Sequence, residues 1–299
     1  MTAPASATGP RPIGRGRALA FAGAVVLLWG VSFPVSRVAL RELPPLALAT
    51  GRFLLATALL WPAARRRGLR LERGDVPTVW LLGLLGVALY FAFENYGLVF
   101  TTASHASLIV ATIAPASAAV EALRRRVPPR PLVVAGMLLA AAGVAIIVRP
   151  EEGGGGSLLG DLLVLGAMAC WVGYTFRARA LMARASPLLV TAATMGAGAA
   201  ILAPMALVEA WFTPLHLPSL AAWGALAYLG ALCSAAAYLL WNLALPVLGV
   251  PVTNNFLNAV PLVAVTTGVL FLGEPLTAAL ALGGALVLIG VMVVERAGA

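Results

Sequence analysis

The chain has 299 residues, 61% of them hydrophobic and 10% charged, with a mean hydropathy of +0.97. A soluble globular chain carries roughly 25% charged residues, so a water-soluble enzyme or binding domain is excluded and the bulk solvent is lipid. The net charge is +9, and all 20 basic residues are Arg; they fall between apolar runs, which assigns them to orientation in a membrane and not to nucleic acid.

Met1–Arg17 is rich in Pro, Gly, Ala and Arg and reads as a disordered cytoplasmic tail, residues 1–17. The apolar run that follows has no small-residue cleavage site and continues into Trp29-Gly30-Val31-Ser32-Phe33-Pro34, so it reads as a retained helix and not a removed signal peptide. Spans of about 20 apolar residues are predicted at Ala18–Leu40, Pro45–Ala63, Val76–Val99, Ala103–Leu123 and Leu132–Val148. Five more are predicted at Leu158–Leu181, Pro187–Val208, Leu220–Leu243, Val250–Phe271 and Leu276–Val294. The short connections make neighbours antiparallel. The fold class is therefore an all-α membrane protein of ten transmembrane helices.

Sixteen arginines lie on one side of this set, including Arg65–Arg67, Arg124–Arg126, Arg177, Arg184 and Arg296; only Arg37, Arg41, Arg52 and Arg149 lie elsewhere. The positive-inside rule puts both termini in the cytoplasm, with the cell inner membrane as the expected location. Gly153–Gly156 is not followed by Lys and a hydroxyl residue, so it reads as a flexible external linker and not a phosphate loop. Cys170 and Cys233 lie in apolar runs and read as small buried hydrophobes, without support for a disulfide or a metal site.

The halves match. A shift of 142 lays Trp29 on Trp171, Arg37 on Arg179, Pro45 on Pro187 and Pro62 on Pro204; a shift of 147 lays Asn95 on Asn242, Gly136 on Gly283 and Gly143 on Gly290. Pro115 falls on Pro261. The organisation expected is a first repeat at 18–149, a linker at 150–157, a second repeat at 158–294 and a cytoplasmic tail at 295–299. Five helices is an odd number, so the second repeat enters the membrane from the opposite face, the inverted arrangement common in secondary transporters.

Trp29-Gly30 and Phe33-Pro34, Arg52-Phe53, Glu94-Asn95-Tyr96-Gly97-Leu98 with Thr101-Thr102-Ala103-Ser104, and Pro115 form an ordered set in the first half. The second half carries Tyr238, Trp241-Asn242, Gly249, Pro261, Leu272-Gly273-Glu274-Pro275-Leu276, Gly283 and Gly290. Over about residues 18–294 this set resembles the EamA family of the drug/metabolite transporter superfamily. Val127-Pro128-Pro129 stands where the family has a Gly-Glu pair, and His105 stands where many relatives have Asn. The resemblance implies a ten-helix exporter or importer of small metabolites, amino acids often among them, with no cofactor.

Polar groups inside a bilayer usually face a cavity or each other. Glu94 sits in an apolar helix; it either binds a substrate ammonium and exchanges a proton, or pairs with Arg52 as a structural ion pair. Asn254, Asn255 and Asn258 crowd the ninth span and offer donors and acceptors suited to a zwitterion, or interhelical hydrogen bonds. Asn95 and Asn242 occupy matching positions, with binding and scaffold roles both open. His105 is a candidate for proton relay or a helix-start residue; His216 is expected in an external loop. Trp29, Trp171, Tyr90, Tyr96, Tyr174, Tyr238 and Trp241 are aromatic candidates for a cavity wall. Pro34, Pro115 and Pro261 permit kinks, and Gly136, Gly143, Gly283 and Gly290 permit close helix packing, between the repeats or at a dimer face.

The reading is a secondary transporter, an exporter of amino acids or related amines, working in the bilayer as a monomer or homodimer, with proton coupling as an expectation and no nucleic-acid partner. An importer, a lipid-handling protein and a structural membrane protein are the alternatives. A membrane enzyme lacks its motifs: there is no His-Glu-x-x-His, no Gly-x-Ser-x-Gly and no acidic pair at helical spacing inside a predicted span.

Overall fold

A computed structural model describes residues 13–147, 157–213 and 217–298. Most of the expected N-terminal tail, nearly all of the Gly-rich linker, Arg149 and His216 lie outside the described residues. Every regular element among the described residues is helical.

Eight helices are long and apolar enough to cross a membrane. They are α1 (Arg15–Ala39), α2 (Pro45–Arg66), α3 (Arg73–Phe100), α4 (Ala103–Arg124), α6 (Leu158–Met182), α7 (Pro187–Phe212), α8 (Leu220–Val250) and α9 (Val252–Leu272). Two shorter apolar helices complete the set, α5 (Pro131–Ile147) and α10 (Ala278–Val294). The ten apolar runs of the sequence thus fall on ten helices. Their starts follow from local chemistry. Thr102, Ser157 and Ser219 accept the backbone N–H three residues on and cap α4, α6 and α8, while Pro45 and Pro187 fill the first positions of α2 and α7, where a missing N–H costs nothing.

The helices are not uniform. α1 continues through Pro34. In contrast, α4 breaks after Val110, at Ala111-Thr112, and α9 passes through a 3-10 turn at Leu257–Ala259. Both breaks have one cause: Pro115 and Pro261 lack the N–H that would bond the carbonyls of Ala111 and Leu257 four residues earlier. Two further irregularities have no counterpart in the sequence reading. Leu84–Leu89 in α3 and Tyr228–Ala237 in α8 are wound as π-helix, a form that concentrates at functional sites. The predicted end of the eighth span at Leu243 is also displaced. The helix runs on to Gly249, whose φ of 79° reverses the chain into α9, a conformation glycine alone adopts freely.

α5 and α10 form one pair. A Cβ on Gly136 would stand 2.6 Å from the Gly290 carbonyl oxygen, and one on Gly143 the same distance from that of Gly283. The four glycines therefore serve this intramolecular contact, where backbones approach too closely for any side chain. The remaining eight helices enclose the main core, at whose centre an aromatic cluster lies.

Candidate functional site

Trp29 from α1 and Trp171 from α6 meet edge-to-face with centroids 5.3 Å apart. Tyr238 from α8 packs on both, at 5.4 and 5.6 Å, and Tyr90 from α3 packs on Trp171 at 5.5 Å. These four rings line a cavity together with Glu94 and Arg52. Its far wall is apolar: Val110 and Ile113 flank the break in α4, and Leu257 and Val260 flank the turn in α9. The proline-broken helices thus bring their irregular turns to the cavity. The room inside is about 30 Å³, space for roughly two waters.

Both charges on the wall are buried, Arg52 at 2% and Glu94 at 6% exposure. They do not form the direct ion pair that is one of the two alternatives for Glu94. Arg52 Nε donates to Ser234 Oγ at 2.9 Å, and its guanidinium lies over the Phe91 ring at 4.4 Å. Ser234 sits in the π-helical turn of α8, which turns its hydroxyl toward α2. Glu94 accepts from the Tyr90 phenol at 3.3 Å. Tyr238 in turn donates to the Gly86 carbonyl at 2.9 Å, within the π-helical turn of α3. A cation and an anion thus face one aromatic chamber, each steadied by a neutral hydroxyl and neither neutralising the other at contact distance. Such a chamber can take a solute that carries both charges, or one that replaces either partner.

Other sequence candidates stand behind the wall or away from it. Trp241 packs on Trp29 and Trp171 at 5.2 and 5.9 Å but is fully buried, and its indole N–H has no partner among the described residues. Tyr174 and Asn242 bond each other, and Asn242 Nδ2 also donates to Thr191 Oγ1 at 2.8 Å. Asn95 Nδ2 donates to the Pro45 carbonyl at 2.9 Å. Both matched asparagines therefore tie the third helix of their half to the start of the second, away from the cavity. Asn254 donates to Ser117 Oγ at 3.0 Å and joins α9 to α4. Asn258 is partly buried in the middle of the 3-10 turn and is not among the residues lining the cavity; the Asn255 side chain lies outside the described residues. His105 is at the start of α4, with Nδ1 3.4 Å from Asp161 Oδ2. Tyr96 donates to Glu209 at 2.8 Å.

Sequence reasoning missed Ser234. The signal was present: a buried arginine needs an acceptor on a facing helix, and few hydroxyls interrupt the apolar run of α8. Asp161 and Glu209, which the sequence pattern does not single out, are also buried and hydrogen-bonded.

The EamA-like transporter family model matches residues 16–149 and again 158–296. A protein of Archaeoglobus fulgidus named as an uncharacterized transporter is 30% identical over 278 residues, 91% of this chain and 96% of its own length. A probable terminal-alkyne amino-acid exporter of Streptantibioticus cattleyicolor is 32% identical over 277 residues, 91% of each chain. A solved crystal structure aligns with a TM-score of 0.69 at 24% identity, covering 95% of this chain and 98% of that one, a likeness that speaks for the fold alone. Matched by the family model in both halves and by relatives of equal span, this chain belongs to the EamA-like transporter family and is a multi-pass membrane protein.

Proposed function

We propose that the protein exports small amino-acid-like solutes by alternating access, with the aromatic chamber as the binding site. The observation that carries this reading is the placement of Glu94 and Arg52 on one buried wall without a direct ion pair. Glu94 takes the substrate ammonium and Arg52, already oriented by Ser234, takes the carboxylate. The tryptophans and tyrosines supply apolar and cation–π contact to what lies between. Proton coupling is placed at Glu94, whose occupancy by a proton or an ammonium is mutually exclusive. The relative named as a probable terminal-alkyne amino-acid exporter supports the substrate class.

With room for only about two waters, the chamber is in a closed conformation and must widen to load. The two halves act as inverted units that rock about the site. Support comes from matched positions that meet or mirror each other: Trp29 against Trp171, the matched glycines Gly136/Gly283 and Gly143/Gly290, which pack crosswise, and the paired π-helical turns. By the positive-inside rule, the arginines at the ends of α2, α4, α6 and α10 support a cytoplasmic side for that face and for both termini, in an inner membrane.

The test is flux in proteoliposomes: radiolabelled amino acids followed across an imposed proton gradient. Saturable movement that responds to the gradient is expected; absence of movement for amino acids, amines and aromatic metabolites overturns the substrate class.

A further inference from the structure

At the face where α2, α4 and α8 begin, two buried carboxylates from the second half of the chain reach helix starts in the first. Glu209, near the end of α7, accepts the backbone N–H of Leu46 at 2.9 Å and of Ala47 at 3.0 Å, and the Tyr96 hydroxyl at 2.8 Å. Glu274 follows Gly273, whose φ of 64° turns the chain out of α9. Its carboxylate accepts Ala103 N–H at 2.8 Å, Ser104 N–H at 3.0 Å and Ser104 Oγ at 2.6 Å, with Arg37 Nη1 at 3.3 Å. The first N–H groups of a helix have no partner inside it and carry partial positive charge, so a carboxylate there satisfies several donors at once.

The opposite face is joined differently. Among the described residues, its polar contacts between halves include Arg184 to Asp75 and Arg130 Nη1 to the Ala297 carbonyl. Both arginines are exposed, although Asp75 itself is buried at 4%; each contact ties one solvent-facing guanidinium to a single partner and caps no helix start. Glu209 and Glu274 are buried at 9% and 8% exposure. The helices they hold both contribute to the cavity wall: α2 bears Arg52, and α4 bears Val110 and Ile113.

We propose that Glu209 and Glu274 are the latches of the external gate: they clamp the starts of α2 and α4 to the second half, and the chamber opens outward when both let go. The latches are positioning residues and touch no substrate. Each makes several bonds to one rigid helix start, so the bonds break together when that helix moves, which gives a closed and an open state without intermediates. This inference rests on the alternating-access reading and its assignment of sidedness.

The test reads access and not flux. In the full chain carrying Cys170→Ala and Cys233→Ala, Ser32→Cys on the chamber wall is labelled in intact cells by a membrane-impermeant thiol reagent. Glu209→Gln and Glu274→Gln each remove a charge-assisted set of bonds and should speed labelling about tenfold, and the double variant further. Asp75→Asn, on the opposite face, should not speed it. Unchanged labelling in latch variants with wild-type thermal midpoints overturns the gate. Should those variants unfold, Thr101→Cys with Asp161→Cys closes the same face by a disulfide, since the parent side chains meet at 2.6 Å. Oxidised protein should then label at background and recover on reduction; equal labelling in both states overturns the gate. Flux that persists with unresponsive labelling counts against the latches alone, whereas responsive labelling without flux counts against the substrate assignment.

Discussion

Trp29 and Trp171, which occupy the same position in the two halves of the chain, meet edge-to-face at 5.3 Å over the chamber. Of the two indoles, Trp29 is anchored, donating to the Cys233 carbonyl at 3.1 Å, while the Trp171 N–H has no partner among the described residues. The pair is therefore asymmetric in use. Trp29→Phe removes an anchor worth about 0.5–1.5 kcal/mol and should lower the thermal midpoint in detergent. Trp171→Phe removes no bond to protein, so the midpoint should move less while KM for transported solutes rises. A larger stability loss at Trp171 than at Trp29 would contradict this division.

Glu94→Gln keeps the shape and the Tyr90 contact but ends charge and proton exchange. Transport should fall at least about tenfold, equivalent to about 1.4 kcal/mol, and the residual rate should lose its dependence on pH. Arg52→Lys keeps the charge but forfeits the planar contact with Phe91 at 4.4 Å and the fixed fork; KM should rise more than kcat falls. Ser234→Ala acts through Arg52 and should reproduce the direction of Arg52→Lys with a smaller size. Flux assays with pH profiles on the three variants check this, and a Glu94→Gln protein with an unchanged profile would make Glu94 structural.

Ten apolar runs, their order and the matched tryptophans were legible because hydropathy and repetition are written along the chain. The asparagines show where that stops. Asn95, Asn242 and Asn254 all sit inside predicted apolar spans, yet each spends its amide on another helix. Sequence gives depth and spacing on one helix but not which neighbour faces a given side, and the π-helical turns of α3 and α8 shift that register by about a residue. Glu274 was visible only as a signature residue. Its role needed the position of the α4 start, which is far away in the chain and close in space.

The glycine contact between α5 and α10 makes a sharp comparison. Gly290→Ala would put its Cβ 2.6 Å from the Ala140 amide nitrogen and the Gly136 carbonyl oxygen. Neither is a flexible side chain, so the helices must separate. Gly23, inside α1, has nothing within 4 Å of an added Cβ. Gly23→Ala should therefore be neutral or stabilising by up to about 1 kcal/mol through helix propensity, whereas Gly290→Ala and Gly136→Ala should cost several degrees of thermal midpoint. Equal midpoints for all three would show that α5 and α10 do not touch as described.

Glu42, in the turn after α1, accepts from Ser219 N–H at 2.6 Å and Ser219 Oγ at 2.7 Å, at the start of α8. The backbone hydrogen bond, and then the hydroxyl, hold its carboxyl below the ordinary value of 4.5. A carboxyl lowered on folding stabilises the fold above its unfolded value, and that contribution is lost as pH falls through the folded one. Detergent-solubilised protein should therefore lose a small increment of thermal midpoint as pH is taken from about 6 to below about 4, and Glu42→Gln should remove the Glu42 share of that slope. Because Glu42 is fully exposed to water, added salt should shrink the effect. A slope identical in wild type and Glu42→Gln would place the acid sensitivity at other carboxylates.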